Sequence, residues 1–221
     1  MSGRPTSRIL VSLLFSATVL TGCEELLAPP PINPTPPPTA SAPLRIQWNC
    51  AMFPALAGNN SPRILFTAPP LSSRQQQFAA WFNRAALSQD PRLANVFVPF
   101  YTLVGQDNAL ANPQGIMLNP EWFARIGDIA STGIFAHELA HLAQFYGLVQ
   151  AAPPVGTQFE GQADYVSGYT LRLSGLFSDR DAREYAAFLR RFGGAGSSTH
   201  PAGDQREYLF LLGWNRAGSG N

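Results

Sequence analysis

His137-Glu138-Leu139-Ala140-His141 sits in the middle of the longest helical pattern of this 221-residue chain, which has three histidines in all. Residues four apart share one face of an α-helix, so both imidazoles can point at a single metal ion, and Glu138 stands beside that face within reach of a water held there. With three His and seven Glu to place, chance produces such a spacing roughly once in a thousand sequences. Two packed histidines in an ordinary core are the plain alternative, but a pair so close would be unusual without polar partners. A catalytic zinc site takes three protein ligands and keeps a fourth position open. One helix conveniently presents two of them, so a second segment has to fold against the first and supply the third.

Such a segment follows a loop forced by Pro153-Pro154. Glu160-Gly161-Gln162-Ala163-Asp164 opens the next helical pattern, and its two carboxylates are again four apart, on one face. One can bind a metal while the other accepts the free N–H of a ligand histidine and fixes its tautomer. Each has a plainer reading when taken singly: Thr157 and Glu160 have capping-box spacing, and Asp164 suits a solvated helix face. Paired just after the histidine helix, they favour the metal reading.

The N-terminus reads as an address. Arg4 and Arg8 precede an apolar stretch from Ile9 to Leu20, whose twelve residues would cover roughly 18 Å of helix against a hydrocarbon core of about 30 Å. A membrane span is therefore not expected. The stretch ends Leu20-Thr21-Gly22-Cys23, which resembles a bacterial lipobox and implies a signal peptide over 1–22, with acylation of Cys23. Several acyl chains together anchor stably where one does not, and Glu24 fits outer-membrane sorting in a Gram-negative cell. An ordinary secretory signal with a chance cysteine is the alternative. Eight of the chain's twenty prolines fall between Ala28 and Pro43, so 23–43 reads as a semi-rigid tether. Residues 44–217 form the folded domain, with a flexible tail at 218–221. Cys50 is then the one remaining thiol, expected as buried filler.

Composition supports a real core in that domain: 45% of residues are hydrophobic and 13% charged. A net charge of +1 and the absence of a basic stretch leave no footprint for nucleic acid. All fifteen basic residues are arginine, which excludes a lysine nucleophile or Schiff base. Strands are expected at Arg63–Thr67, at Val96–Val98 and Phe100–Val104 on either side of Pro99, and at Gly115–Leu118. Helices are expected at Ser73–Leu87 (capped by Ser73 with Gln76), Asp128–Tyr146 with Gly147 as its C-cap, Gln158–Ser174, Ser178–Phe192 and Asp204–Trp214. Helices outweigh strands and the strands come early, an α+β layout.

His137 to Gln144 (HELAHLAQ), Glu160 to Gly168 (EGQADYVSG) and Ser198 to Arg206 (STHPAGDQR) resemble three successive motifs of gluzincin-type metallopeptidases. Both the HtpX and CAAX prenyl protease group and the bacterial neutral zinc metallopeptidases are similar. Asn108 to Leu118 resembles the Asn-Ala edge-strand region of the HtpX group. The likeness spans Asn108 to Trp214, roughly half the chain. It implies a zincin-like domain, mainly helical with a small N-terminal β-sheet, in which Zn²⁺ is held by His137, His141 and Glu160, Glu138 is catalytic, and Asp164 orients a ligand. The membrane-embedded members carry transmembrane helices that this sequence lacks after its signal, and the region before Asn108 matches none of these motifs.

The expected activity is zinc-dependent hydrolysis of peptide bonds in extended or misfolded polypeptides of the cell envelope. Glu138 would move the proton of the attacking water. His200, placed near the site by the resemblance, is the first candidate to stabilise the oxyanion, with Tyr165 and Tyr169 in reserve. Arg206 is expected to pair with a site carboxylate. Gly115–Leu118 is expected to offer an unpaired edge to which substrate adds as a strand. Two other readings are a catalytically inactive metal-binding lipoprotein that acts as a chaperone or envelope assembly factor, and a structural lipoprotein without metal.

Overall fold

The computed structural model describes residues 63–65, 67–91, 93, 98–149 and 157–219. The signal, Cys23, the proline tether, Cys50, the Val96-Phe97 part of a strand and the Pro153-Pro154 loop lie outside the described residues.

The elements run β1 (Arg63–Leu65), α1 (Ser73–Gln89), β2 (Phe100–Val104), β3 (Ala109–Asn112), β4 (Gly115–Leu118), α2 (Pro120–Ile126), α3 (Asp128–Phe145), α4 (Thr157–Ser174), α5 (Asp179–Phe192) and α6 (Gly203–Gly218). This is an α+β architecture, mostly helical with one four-stranded sheet ordered β1-β2-β4-β3. No helix among the described residues is long and apolar enough to cross a membrane.

The sheet is mixed. β4 runs parallel to β2, pairing Phe100 with Ile116, and antiparallel to β3, pairing Ala109 with Leu118. Gly115–Leu118 is thus a central strand with both edges occupied. The expectation that it offers a free edge is wrong, because the preceding Ala109–Asn112 segment turns back on it and takes the outer position.

α3 organises the rest. Every residue from Ala130 to Gln144 is buried, polar and apolar alike, because neighbouring elements cover the helix on all sides. It packs on β3 and β4 and is surrounded by α1, α2, α4 and α5. Ile134, Phe135 and Leu142 join Phe78, Ile116, Leu118, Leu171 and Phe210 in the main core. α3 ends in a Schellman motif: Gly147, at φ +67°, follows the cap residue Tyr146, and Gly147 N–H and Leu148 N–H donate to Gln144 O and Ala143 O. At the start of α1 the capping box is one residue earlier than the sequence pattern suggested: Ser72 accepts from Gln75 N–H, and Gln75 Oε1 accepts from Ser72 N–H. Gln75 is drawn to that role because its Nε2 also donates to buried Ser131 on α3.

α4 and α6 meet backbone to backbone. A Cβ on Gly168 would lie 2.1 Å from Phe210 O, and one on Gly213 would lie 2.0 Å from Tyr165 O. Only glycine permits that approach, and it sets Asp164 on α4 against Arg206 on α6.

Candidate metal centre

The helical spacing does what the sequence predicts. His137 and His141, successive turns of α3, bring their rings to 4.6 Å between centroids, and their Nε2 atoms are 3.0 Å apart. Glu160, in the first turn of α4, places Oε2 3.2 Å from His137 Nε2 and 3.5 Å from His141 Nε2. One ligand atom from each of the three lies within 4.8 Å of the others. Both histidines are completely buried and Glu160 is 3% exposed.

The surrounding polar groups decide which nitrogen of each ring carries the proton. Gln144 spends its amide N–H groups on Phe159 O and the Gln162 side chain, both at 2.9 Å. Its Oε1 is thereby turned toward His141 Nδ1, at 2.7 Å. That oxygen can only accept, so His141 carries its proton on Nδ1 and presents a lone pair at Nε2. His137 Nδ1 makes a short, bent contact of 2.9 Å with Asp164 Oδ1, which fixes the same tautomer. Asp164 is itself gripped by Arg206, whose Nε and Nη2 donate to its two oxygens at 2.8 Å each. Arg206 is 1% exposed.

Burial pushes the Asp164 carboxyl upward, but the charges of Arg206 and His137 and their hydrogen bonds outweigh it and leave it below the usual range. Glu160 is held well below its ordinary value in the same way, burial being overcome by His141 and His137. Arg206 neutralises Asp164, and the ionised Glu160 stands against the two Nε2 atoms, which carry positive charge when the rings are protonated and offer lone pairs when they are not. The donor set, two nitrogens and a carboxylate oxygen, is the kind that binds divalent transition metals. The described residues thus contain a buried His-His-Glu group able to hold a metal ion.

Glu138 is fully buried, and neither carboxylate oxygen has a hydrogen-bond partner. Burial pushes its carboxyl up to about 8, against the opposing influence of His141. A buried carboxyl without hydrogen-bond partners is costly for folding alone. A bound cation favours its charged form.

No protein-family model matches the chain, and no curated protein or solved structure matches it.

The third histidine is also here. His200, in the turn before α6, puts Nε2 3.5 Å from Glu160 Oε2. All three histidines of the chain therefore meet in one place. Tyr165 and Tyr169 do not join them: they stack on each other half-buried along α4, with centroids 6.4 Å apart. Gln144 is the residue that sequence reasoning missed. The signal was present, an amide one turn beyond His141 on the same helix, but its role depends on carbonyl groups that α4 supplies.

Proposed function

We propose that this chain is a zinc-dependent endopeptidase with a zincin-like domain, hydrolysing peptide bonds in extended or misfolded polypeptides. The observation that carries the reading is the convergence of two imidazole Nε2 atoms and an ionised carboxylate beside a buried carboxyl that hydrogen-bonds to nothing. Metal binding by itself would need no Glu138.

His137, His141 and Glu160 would hold the ion, with Asp164 and Gln144 fixing the two rings. When bound, zinc supplies Lewis acidity toward a carbonyl oxygen and acidifies water to a pKa near about 7. Glu138 accepts the proton of the attacking water on its carboxylate and returns it to the leaving amine. His200, whose Nε2 lies 3.5 Å from Glu160 Oε2, would donate toward the oxyanion. Arg206 keeps Asp164 ionised, so that His137 stays in the ligating tautomer. Placement in the cell envelope by lipidation at Cys23, on the outer membrane of a Gram-negative cell, belongs to the same proposal.

Metal analysis of the purified protein and casein cleavage by the Glu138→Gln variant test the reading. About one zinc per chain in both proteins, with cleavage lost only in the variant, is the expected result. Cleavage at the wild-type rate would remove Glu138 from its role, and a metal-free wild type would sink the proposal. Release of the Cys23→Ala variant from the membrane fraction is the matching test of the anchor.

A further inference from the structure

The turn that carries His200 is wired by hydroxyl groups. Ser197 Oγ accepts from the backbone N–H of Thr199 at 3.2 Å and of His200 at 3.0 Å. With both lone pairs engaged, its own proton is left for Thr199 Oγ1, 3.1 Å away. Thr199 Oγ1 in turn lies 2.8 Å from His200 Nδ1, and a hydroxyl that has accepted one proton is set to pass its own onward. The backbone bond from Ser197 N–H to His200 O at 2.8 Å closes the turn. At the far end of the ring, His200 Nε2 is buried without a hydrogen-bond partner. It faces Glu160 Oε2 at 3.5 Å.

We propose that Ser197 and Thr199 form a hydroxyl relay that fixes His200 as the Nε2–H tautomer, aiming its one N–H into the site as a donor. Ser197 and Thr199 are positioning residues, since neither reaches the site itself. The tautomer follows from the turn; its consequence for catalysis rests on the peptidase reading. In this state His200 has no lone pair at Nε2 and is not a fourth metal ligand, so the open position that a hydrolytic zinc site needs is preserved.

The test combines a tautomer-sensitive measurement with kinetics on the full chain. Because only three histidines exist, long-range proton–nitrogen NMR spectra of ¹⁵N-histidine-labelled protein resolve each ring, and His200→Gln assigns its signal. The expected spectrum has the His200 proton on Nε2 both with zinc and after chelation. Thr199→Val, an isosteric change at an exposed position, should give a mixture of tautomers. It should also lower kcat on labelled casein by roughly five- to tenfold, the weight of one neutral hydrogen bond. KM and zinc stoichiometry should stay unchanged, and Thr199→Ser should restore both tautomer and rate. A proton on Nδ1 in the wild type, a zinc-ligated Nε2, or a Thr199→Val protein with unchanged spectrum and kcat would each overturn the relay. A wild type with the Nε2–H tautomer but no hydrolysis of casein would keep the relay and remove the peptidase.

Discussion

At the scale of single residues, the site works through proton inventory. His141 can offer Nε2 to a metal because Gln144 Oε1 accepts a hydrogen bond from its Nδ1–H, and Gln144 can do so because α4 occupies its amide nitrogen. Gln144→Leu keeps the helix and the volume but leaves His141 free to choose its tautomer, so zinc affinity should fall by about 10- to 100-fold, read by competition with a chromophoric chelator. An unchanged affinity would show that the amide only fills space. His137, His141 and Glu138 were legible because helical spacing alone brings them together. Glu160 and Asp164 were legible as a pair, although the sequence by itself left open which would bind and which would orient. Gln144 was not, since nothing local to α3 announces what its amide nitrogen will meet.

At the scale of elements, two local rules carry testable weight. α5 begins with a capping box in which Ser178 Oγ accepts from Asp181 N–H, and Asp181 Oδ2 accepts from Ser178 N–H. That backbone bond, with help from Arg74, lowers the Asp181 pKa below its ordinary value. A carboxyl depressed in the folded state stabilises above its unfolded pKa, near 4, and loses that contribution as pH falls through the lower folded value. Asp181→Ala should therefore cost about 1 kcal/mol at pH 6, seen as a lower melting temperature, and the gap to wild type should close toward pH 3. The second rule is the glycine seam. Gly168→Ala forces a methyl group onto the Phe210 carbonyl, which cannot turn aside as a side chain could. It should destabilise by about 1–3 kcal/mol and weaken zinc binding as well, because α4 bears Glu160. A variant that is destabilised but binds zinc normally would separate the seam from the site. Elsewhere the sequence was ambiguous for physical reasons. The doublets Ser72-Ser73 and Gln75-Gln76 allow two capping registers, and tertiary contact with Ser131 selects one. β3, Ala-Leu-Ala-Asn, has weak intrinsic strand preference, and the seven-residue α2 is too short to show a period.

At the scale of the whole molecule, the α+β class was legible from helices outnumbering early strands, whereas the sheet order was not. A strand's own residues do not say whether its neighbours lie on one side or both, and the parallel pairing of β2 with β4 is a long-range choice. The metal should matter at this scale too. An ion that binds only the folded state, present at a thousand times its dissociation constant, adds about 4 kcal/mol. For a domain of this size that corresponds to a melting shift on the order of 10 °C. EDTA should lower the wild-type midpoint by that amount, zinc should restore it, and a His141→Ala protein should respond to neither. A wild-type midpoint indifferent to chelation would mean that no ion contributes to the fold.

The glycine seam also says how this molecule can and cannot flex. At Gly168 and Gly213 main chain touches main chain with no side chain between, so at these two points neither helix can slide past the other without first being lifted away. They form one leaf with the Asp164–Arg206 clasp through it, so the spacing within the clasp is set by touching main chain and not by side-chain packing alone.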